Sequence, residues 1–375
     1  AIEQAYLVVY NPRTKKAEIY EQCVLPFGAR ASVHSFCRTS LGIWTVGAVQ
    51  LALMWSVYFD DFVGGEVPPL SRLFDLCAET LFGILGWDTS PDKPTTFGSI
   101  AKVLGLEFDL RESHLGNFYM QNTITRREEL RDSLSAVLEA GTLTRKDCEK
   151  LRGRLQFASN QIAGKKAGLA FKVLSEHLKE RSPVVGDSLR AALLFLRDKF
   201  LEGPPRSLSA NVLHLWHVYV DASCDDDRIG LGGVLISDNG TKIGHFSEWA
   251  TPELRQLIGP DSKNPIFECE CLAVLMCFHV WRGLLKGCNI VVFSDNEGTR
   301  ACMIKGASDN TIGMRIVDAT HEAIDAVCCI PWFERVNTAS NVADDPSRGI
   351  SDESLGRRFE VDALCIAKSA LVPWG

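Results

Sequence analysis

Four acidic residues set in or beside apolar runs, Asp221, Glu270, Asp295 and Asp344, constrain the second half of this chain more than any other feature. Desolvating an unpaired carboxylate costs on the order of several kcal/mol, so a fold that buries these segments must supply each acid with a partner. Taken singly, each acid also fits a cap, a turn or an exposed position. Convergence on a divalent cation accounts for all four at once, because carboxylate oxygens are hard ligands suited to Mg²⁺ or Mn²⁺. The segments that carry them have a clear order. HVYVDAS, GLGGVLISD and TKIGHFSEW read as strands, with Asp238-Asn239-Gly240 as a hairpin turn. PIFECECLAVLMCFHVWRGLL reads as a buried helix and NIVVFSD as a buried strand. NEGTRACMIKG and IGMRIVDATHEAIDAV read as helices and CIPWFERV as a last strand. This βββαβαβ order with an extra helix predicts a mixed sheet covered by helices.

A second carboxylate pair lies upstream, where VYFDDFVGG sets Asp60 and Asp61 between apolar residues. It reads either as a solvated turn or as ligands of paired ions of the kind that assist phosphoryl transfer. AIEQAYLVVYNP and KKAEIYEQCVLPFGA predict two strands around Asn11-Pro12. ASVHSFCRTSLGIW predicts a helix on Val33, Phe36, Leu41 and Trp44. LSRLFDLCAETLFGILGW predicts an amphipathic helix with Leu73, Leu76, Leu81 and Ile84 on one face, closed by Gly86. SPDKPTTFGSIAKVLGLEFDL reads as a turn and a strand pair. Leu41 to Phe59 is 19 residues without a formal charge, the length of a membrane span. Gln50, Gly42, Gly47 and the run into Asp60 favour a buried helix followed by a buried strand, so no membrane is expected as a partner.

The middle of the chain is basic. Residues 121–180 carry 12 Lys/Arg against 8 Asp/Glu, whereas residues 1–120 carry 9 against 13 and residues 213–375 carry 14 against 23. Arg145, Lys146, Arg152, Arg154, Lys165 and Lys166 supply the excess, on a phosphate-tracking surface or a solvated helical face. TRREELRDSLSAVLEAG places Leu130, Leu134, Val137 and Leu138 on one stripe ending at Gly141, and Thr144 with Asp147 forms a capping box. SLRAALLFLRDKFL is a short helix in a connecting region that ends near Gly203-Pro204-Pro205. The 13 cysteines include no CxxC pair, which favours free thiols in an intracellular compartment, cytoplasmic or nuclear, over disulfides or zinc.

LPFGARASVHSF, YFDDF, LGWDTSPDKPTTF and VLGLEFD, in that order, resemble the palm of a reverse transcriptase from a retrotransposon. The resemblance implies that Asp60 and Asp61 lie beside the ions that join a primer 3′-hydroxyl to a nucleotide. It implies Tyr6 as the aromatic that screens the sugar, Phe27 and Gly28 near the nucleotide, and Lys93 in the loop after the amphipathic helix. It divides the chain into a palm over residues 1–120, a helical thumb over 121–180 that packs its basic residues against a primer–template duplex, and a connection over 181–212. The family has an Asp five residues before that Tyr. Here Ala1 occupies the position and no fingers precede it, so an N-terminally truncated chain with impaired polymerase activity is expected.

YVDAS with a glycine-rich second strand, ExxA in ECLA, FSDN, and NxAD followed by PSR resemble ribonuclease H over residues 213–350. The resemblance implies that Asp221, Glu270, Asp295 and Asp344 hold two Mg²⁺ or Mn²⁺ ions while water attacks an RNA phosphodiester in line. Ala273, three after Glu270, and Asn341, three before Asp344, single these acids out from Glu268 and Asp345. A His that many ribonucleases H carry before the last motif is missing, which implies a slower enzyme.

The expected fold class is therefore an α+β / α/β multidomain chain, palm and helical thumb followed by a ribonuclease H-like mixed sheet with helices. The expected activity is metal-dependent cleavage of RNA in RNA–DNA hybrids. The alternative is a catalytically inactive nucleic-acid-binding remnant. Residues 351–375 have no assignable role.

Overall fold

Alternating and periodic apolar residues produce the expected elements, and packing then selects which face of each is buried. The structure, a computed structural model, describes residues 6–21, 24, 28–90, 97–162, 165, 167–209, 214–225, 228–259 and 264–371. The chain divides into two units between Val103 and Leu104.

In the first unit, β1 (Tyr6–Asn11) and β2 (Lys16–Glu21) pair antiparallel around the Asn-Pro turn, Tyr6 opposite Glu21. Helix α1 (Arg30–Gln50) follows. Its buried face is Ser32, Ser40, Ile43 and Gly47, and the expected Val33 and Leu41 are exposed. The hairpin of β3 (Trp55–Tyr58) and β4 (Asp61–Gly64) imposes this choice. Trp44 and Trp55 each donate an indole N–H to the other's carbonyl, at 2.7 and 3.0 Å. Helix α2 (Ser71–Ile84) likewise buries Phe74, Ala78 and Leu81, while Leu73, Leu76 and Ile84 of the expected stripe face solvent. Both faces of this helix are apolar, so periodicity alone could not choose between them. Trp55 chooses, edge-on to Phe74 at 6.3 Å and tilted on Phe62 at 5.1 Å. β5 (Ile100–Val103) ends the unit. No described helix is long and apolar enough to cross a membrane.

The second unit begins with β6 (Leu106–Asp109) and β7 (Asn117–Asn122), followed by α3 (Ile124–Ala140), α4 (Arg145–Ile162), α5 (Gly168–His177) and α6 (Asp187–Leu194). Leu130, Leu134 and Leu138 form the expected stripe and meet Leu155, Leu174, Leu189, Leu193 and Leu196 in one core. The stretch read as a connection is thus built into the bundle, and its β8 (Arg206–Ser209) pairs antiparallel with β7. At the start of α4 the Asp147 N–H donates to Thr144 Oγ1 at 3.2 Å. The Asp147 carboxylate accepts the Thr144 hydroxyl at 2.6 Å.

The remainder follows the βββαβαβ expectation. β9 (Leu215–Asp225), β10 (Arg228–Ser237) and β11 (Lys242–Trp249) form an antiparallel meander, followed by α7 (Pro252–Ile258), α8 (Ile266–Val280) and α9 (Arg282–Leu285). β12 (Asn289–Ser294), α10 (Glu297–Lys305), α11 (Thr311–Val327), β13 (Ile330–Arg335), α12 (Asp344–Ser347), β14 (Arg357–Arg358) and α13 (Ala363–Leu371) complete it. The sheet order is β13-β12-β9-β10-β11-β14. β12 runs parallel to both β9 and β13, as a strand entered from a crossover helix must. Helix α8 is buried from Glu268 to Phe278, which explains its nearly continuous apolar sequence. Residues 357–371 belong to this fold. β14 pairs with β11, and Ala363, Ala367 and Leu371 of α13 enter the main core.

Candidate metal centre

Asp221 lies in mid-strand on β9, between β10 and β12, and is 5% exposed. Glu270 reaches it from α8, which packs on β9 and β10, and is 3% exposed. Asp295 directly follows β12, the parallel neighbour of β9, and is partly buried. One carboxylate oxygen of each lies within 4.8 Å of the others, the one such cluster among the described residues.

The protein holds these groups by their free lone pairs. Asp221 Oδ1 accepts the Asn341 amide at 3.3 Å, and Asp221 Oδ2 accepts the Ser347 hydroxyl at 2.6 Å. Ser294 Oγ donates to Glu270 Oε2 at 3.5 Å. Burial raises Asp221 to about 6, opposed by the Ser347 hydrogen bond and assisted by the charges of Asp295 and Asp344. Burial, then repulsion from Asp221 and Asp295, raises Glu270 to about 9. Glu270 therefore retains a proton at neutral pH, and Asp221 gains one only below about pH 6, so a divalent cation binding here would displace a proton from Glu270. The all-oxygen donor set, its convergence and its unfavourable mutual repulsion fit a hard divalent cation.

Asp344 stands outside this cluster. Its Oδ1 is ion-paired with Arg348 Nε at 3.1 Å, and Arg348 Nη1 also binds Asp225 Oδ2 at 3.1 Å. The backbone beneath it is fixed by α12 lying directly on β10. A Cβ at Gly230 or Gly232 would collide with the Ser347 backbone, so the glycine-rich strand is a steric requirement of this contact. Ser223 Oγ donates to the Ser347 carbonyl at 2.6 Å and Ser247 Oγ to the Pro346 carbonyl at 2.7 Å. Glu268 instead accepts the Asn310 amide at 2.7 Å, and Asp345 is exposed.

The other candidate residues are not gathered in this way. Asp60 in the hairpin turn and Asp61 at the start of β4 are exposed, with no third carboxylate beside them among the described residues. Tyr6 is exposed on β1, and Gly28 precedes α1 with a φ of 85°. Phe27, Lys93 and Lys166 lie outside the described residues. Arg145 is ion-paired with Glu149 at 3.3 Å and Arg154 with Glu129 at 3.1 Å. Arg152 is half-buried, and Lys146 and Lys165 are exposed. Ser347, Arg348 and Ser294 are functional neighbours without an assigned role in the sequence. The first two are nonetheless the last two letters of the PSR that follows NxAD.

Residues 215–320, which include Asp221, Glu270 and Asp295, match the model of the RNase H-like domain found in reverse transcriptase. This match and the mixed sheet define an RNase H-like domain within the second unit. No curated protein matches the chain. Among solved structures the chain is similar to RNase H1 from the halophilic archaeon Halobacterium salinarum NRC-1, at 13% identity and a TM-score of 0.29 over 38% of this chain and 97% of that one. It is also similar to the N-terminal RNase H domain of rv2228c from Mycobacterium tuberculosis, fused to maltose binding protein, at 13% and 0.29 over 38% and 96%. A third is the foamy viral protease-reverse transcriptase dRH in complex with double-stranded DNA, at 13% and 0.37 over 81% and 49%.

Proposed function

We propose that this chain is a retroelement-derived reverse transcriptase and ribonuclease H segment whose retained chemistry is cleavage of the RNA strand of an RNA–DNA hybrid. The observation that carries the reading is the convergence of Asp221, Glu270 and Asp295 inside the segment that matches the reverse transcriptase RNase H-like domain. In this reading residues 1–120 correspond to the palm, 121–180 to the thumb, 181–212 to the connection and 213–350 to the nuclease. Free thiols at the described cysteines fit a reducing intracellular compartment.

Asp221, Glu270, Asp295 and Asp344 would hold two Mg²⁺ or Mn²⁺ ions, which supply an activated water and neutralise charge at the phosphodiester. The chain itself fixes the ligands. Asn341 and Ser347 engage both oxygens of Asp221, so this carboxylate keeps one orientation. Ser294 orients Glu270, and burial under α8 keeps bulk water from that side. Hybrid recognition rests on backbone shape and 2′-hydroxyls. Lys146 and Lys165 are available to duplex phosphates, whereas Arg145 and Arg154 would exchange carboxylate partners to reach them. Impaired DNA polymerisation fits Asp60 and Asp61 having no third carboxylate gathered beside them among the described residues.

Digestion of a labelled RNA–DNA hybrid with Mg²⁺ or Mn²⁺ tests the assignment. Asp221→Asn and Asp295→Asn should each abolish cleavage while the fold persists by circular dichroism. Undiminished cleavage in both variants overturns the reading. A wild-type chain that binds the hybrid without cutting it supports the inactive nucleic-acid-binding remnant instead.

A further inference from the structure

Three of the four motif acids converge, and the fourth is held elsewhere by an arginine one helical turn along. The backbone around this fourth acid has little freedom. α12 rests on Gly230 and Gly232, and the Ser223 and Ser247 hydroxyls bind its carbonyls. The Arg348 N–H donates to the Asp344 and Asp345 carbonyls at 3.2 and 3.1 Å. The side chains are the movable part. Those of Asp344 and Arg348 are 36% and 46% exposed, which leaves both room to change rotamer. Arg348 is itself braced by Asp225, four residues beyond Asp221 on β9, so its fork spans α12 and the end of that strand.

We propose that Arg348 is a positioning residue that competes with a divalent cation for Asp344 and so sets the affinity of the weaker of two cation-binding steps. The inference rests on the reading that the acid cluster binds divalent cations. Asp221, Glu270 and Asp295 take the first ion without disturbing the Arg348 pair. The second ion has to draw Asp344 away from a charge-assisted hydrogen bond, which weakens that step. The two cations are therefore acquired in order, with the arginine returning to Asp225 alone once Asp344 turns inward.

Calorimetric titration of the full chain with Mn²⁺ alone tests this without any nucleic acid. The wild type should show a strong and a weak step. Arg348→Gln should tighten the weak step several-fold and leave the strong one unchanged, and Arg348→Lys, which can still pair with Asp344, should fall between. Asp344→Asn should remove the weak step, and adding Arg348→Gln to it should then change nothing. A mere loss of positive charge near the cluster behaves differently, since it tightens both steps and persists in the Asp344→Asn background. That result overturns the proposal, as does an unchanged or weakened second step in a folded Arg348→Gln chain. Two steps in the wild type with no effect of Arg348 refute only this inference, whereas no Mn²⁺ binding at all refutes the metal centre with it.

Discussion

Ser347 is fully buried, with its Oγ 2.6 Å from Asp221 Oδ2 and 2.8 Å from the Asp344 carbonyl. Its hydroxyl stabilises the ionised form of a carboxylate that burial pushes toward neutrality. Ser347→Ala removes that support without leaving a large cavity, and it is expected to lower Mn²⁺ affinity or hybrid cleavage by about 10–100-fold, as loss of an outer-shell ligand contact does. Calorimetry and the cleavage assay read both, and a Ser347→Ala chain with wild-type values in each would show the contact to be incidental. At this scale the acids were legible, because a carboxylate in an apolar run needs a reason. Their supports were not. A serine and an arginine near a turn carry no local anomaly, and their partners lie 126 and 123 residues away at Asp221 and Asp225.

Among elements, α12 and β10 show a sequence signal whose meaning depends on tertiary contact. GLGG reads from sequence as part of a glycine-rich strand, and two of its glycines admit the Ser347 backbone. Gly232→Ala places a methyl against the Ser347 amide and the Ala343 carbonyl, so α12 and Asp344 must shift. Overpacking of this kind costs about 1–3 kcal/mol, and the expected result is a lower midpoint in urea together with weakened cleavage. Unchanged stability and activity would mean that α12 is less closely seated than the structure shows. Helices α1 and α2 illustrate the opposite case. Their existence followed from periodicity, but an apolar helix with two acceptable faces is oriented by its neighbours, here the Trp55 and Phe62 hairpin.

Across the whole second unit, α5 joins the helical bundle to the RNase H-like fold. Leu169 donates its N–H to Asp318 Oδ1 at 3.4 Å, and Lys172 Nζ donates to the Ser308 and Asp309 carbonyls at 3.0 and 3.1 Å. Asp318 is 4% exposed, and burial with the nearby Glu322 raises it from an ordinary 3.8 to about 8. The folded protein thus keeps a proton that the unfolded chain has released. Stability from this group is complete below pH 3.8 and is lost as the pH rises toward about 8. Asp318→Asn keeps an acceptor for Leu169 and removes the ionisation. It is expected to melt above the wild type at pH 8, with the difference shrinking toward pH 5. Parallel melting curves across that range would remove Asp318 as the cause.

The sequence by itself determined the element order, the meander and crossover of the RNase H-like sheet, and the acids that stand out in it, because these depend on local periodicity and on the cost of burying charge. It also carried the resemblance through YFDDF and the motifs downstream. Only the tertiary structure decided that Asp344 pairs with Arg348 outside the cluster, that the stretch after residue 181 completes the helical core, and that α13 closes the core of the RNase H-like fold. These outcomes depend on contacts between residues far apart in the chain, where several apolar faces or charged partners are locally acceptable and close packing admits one.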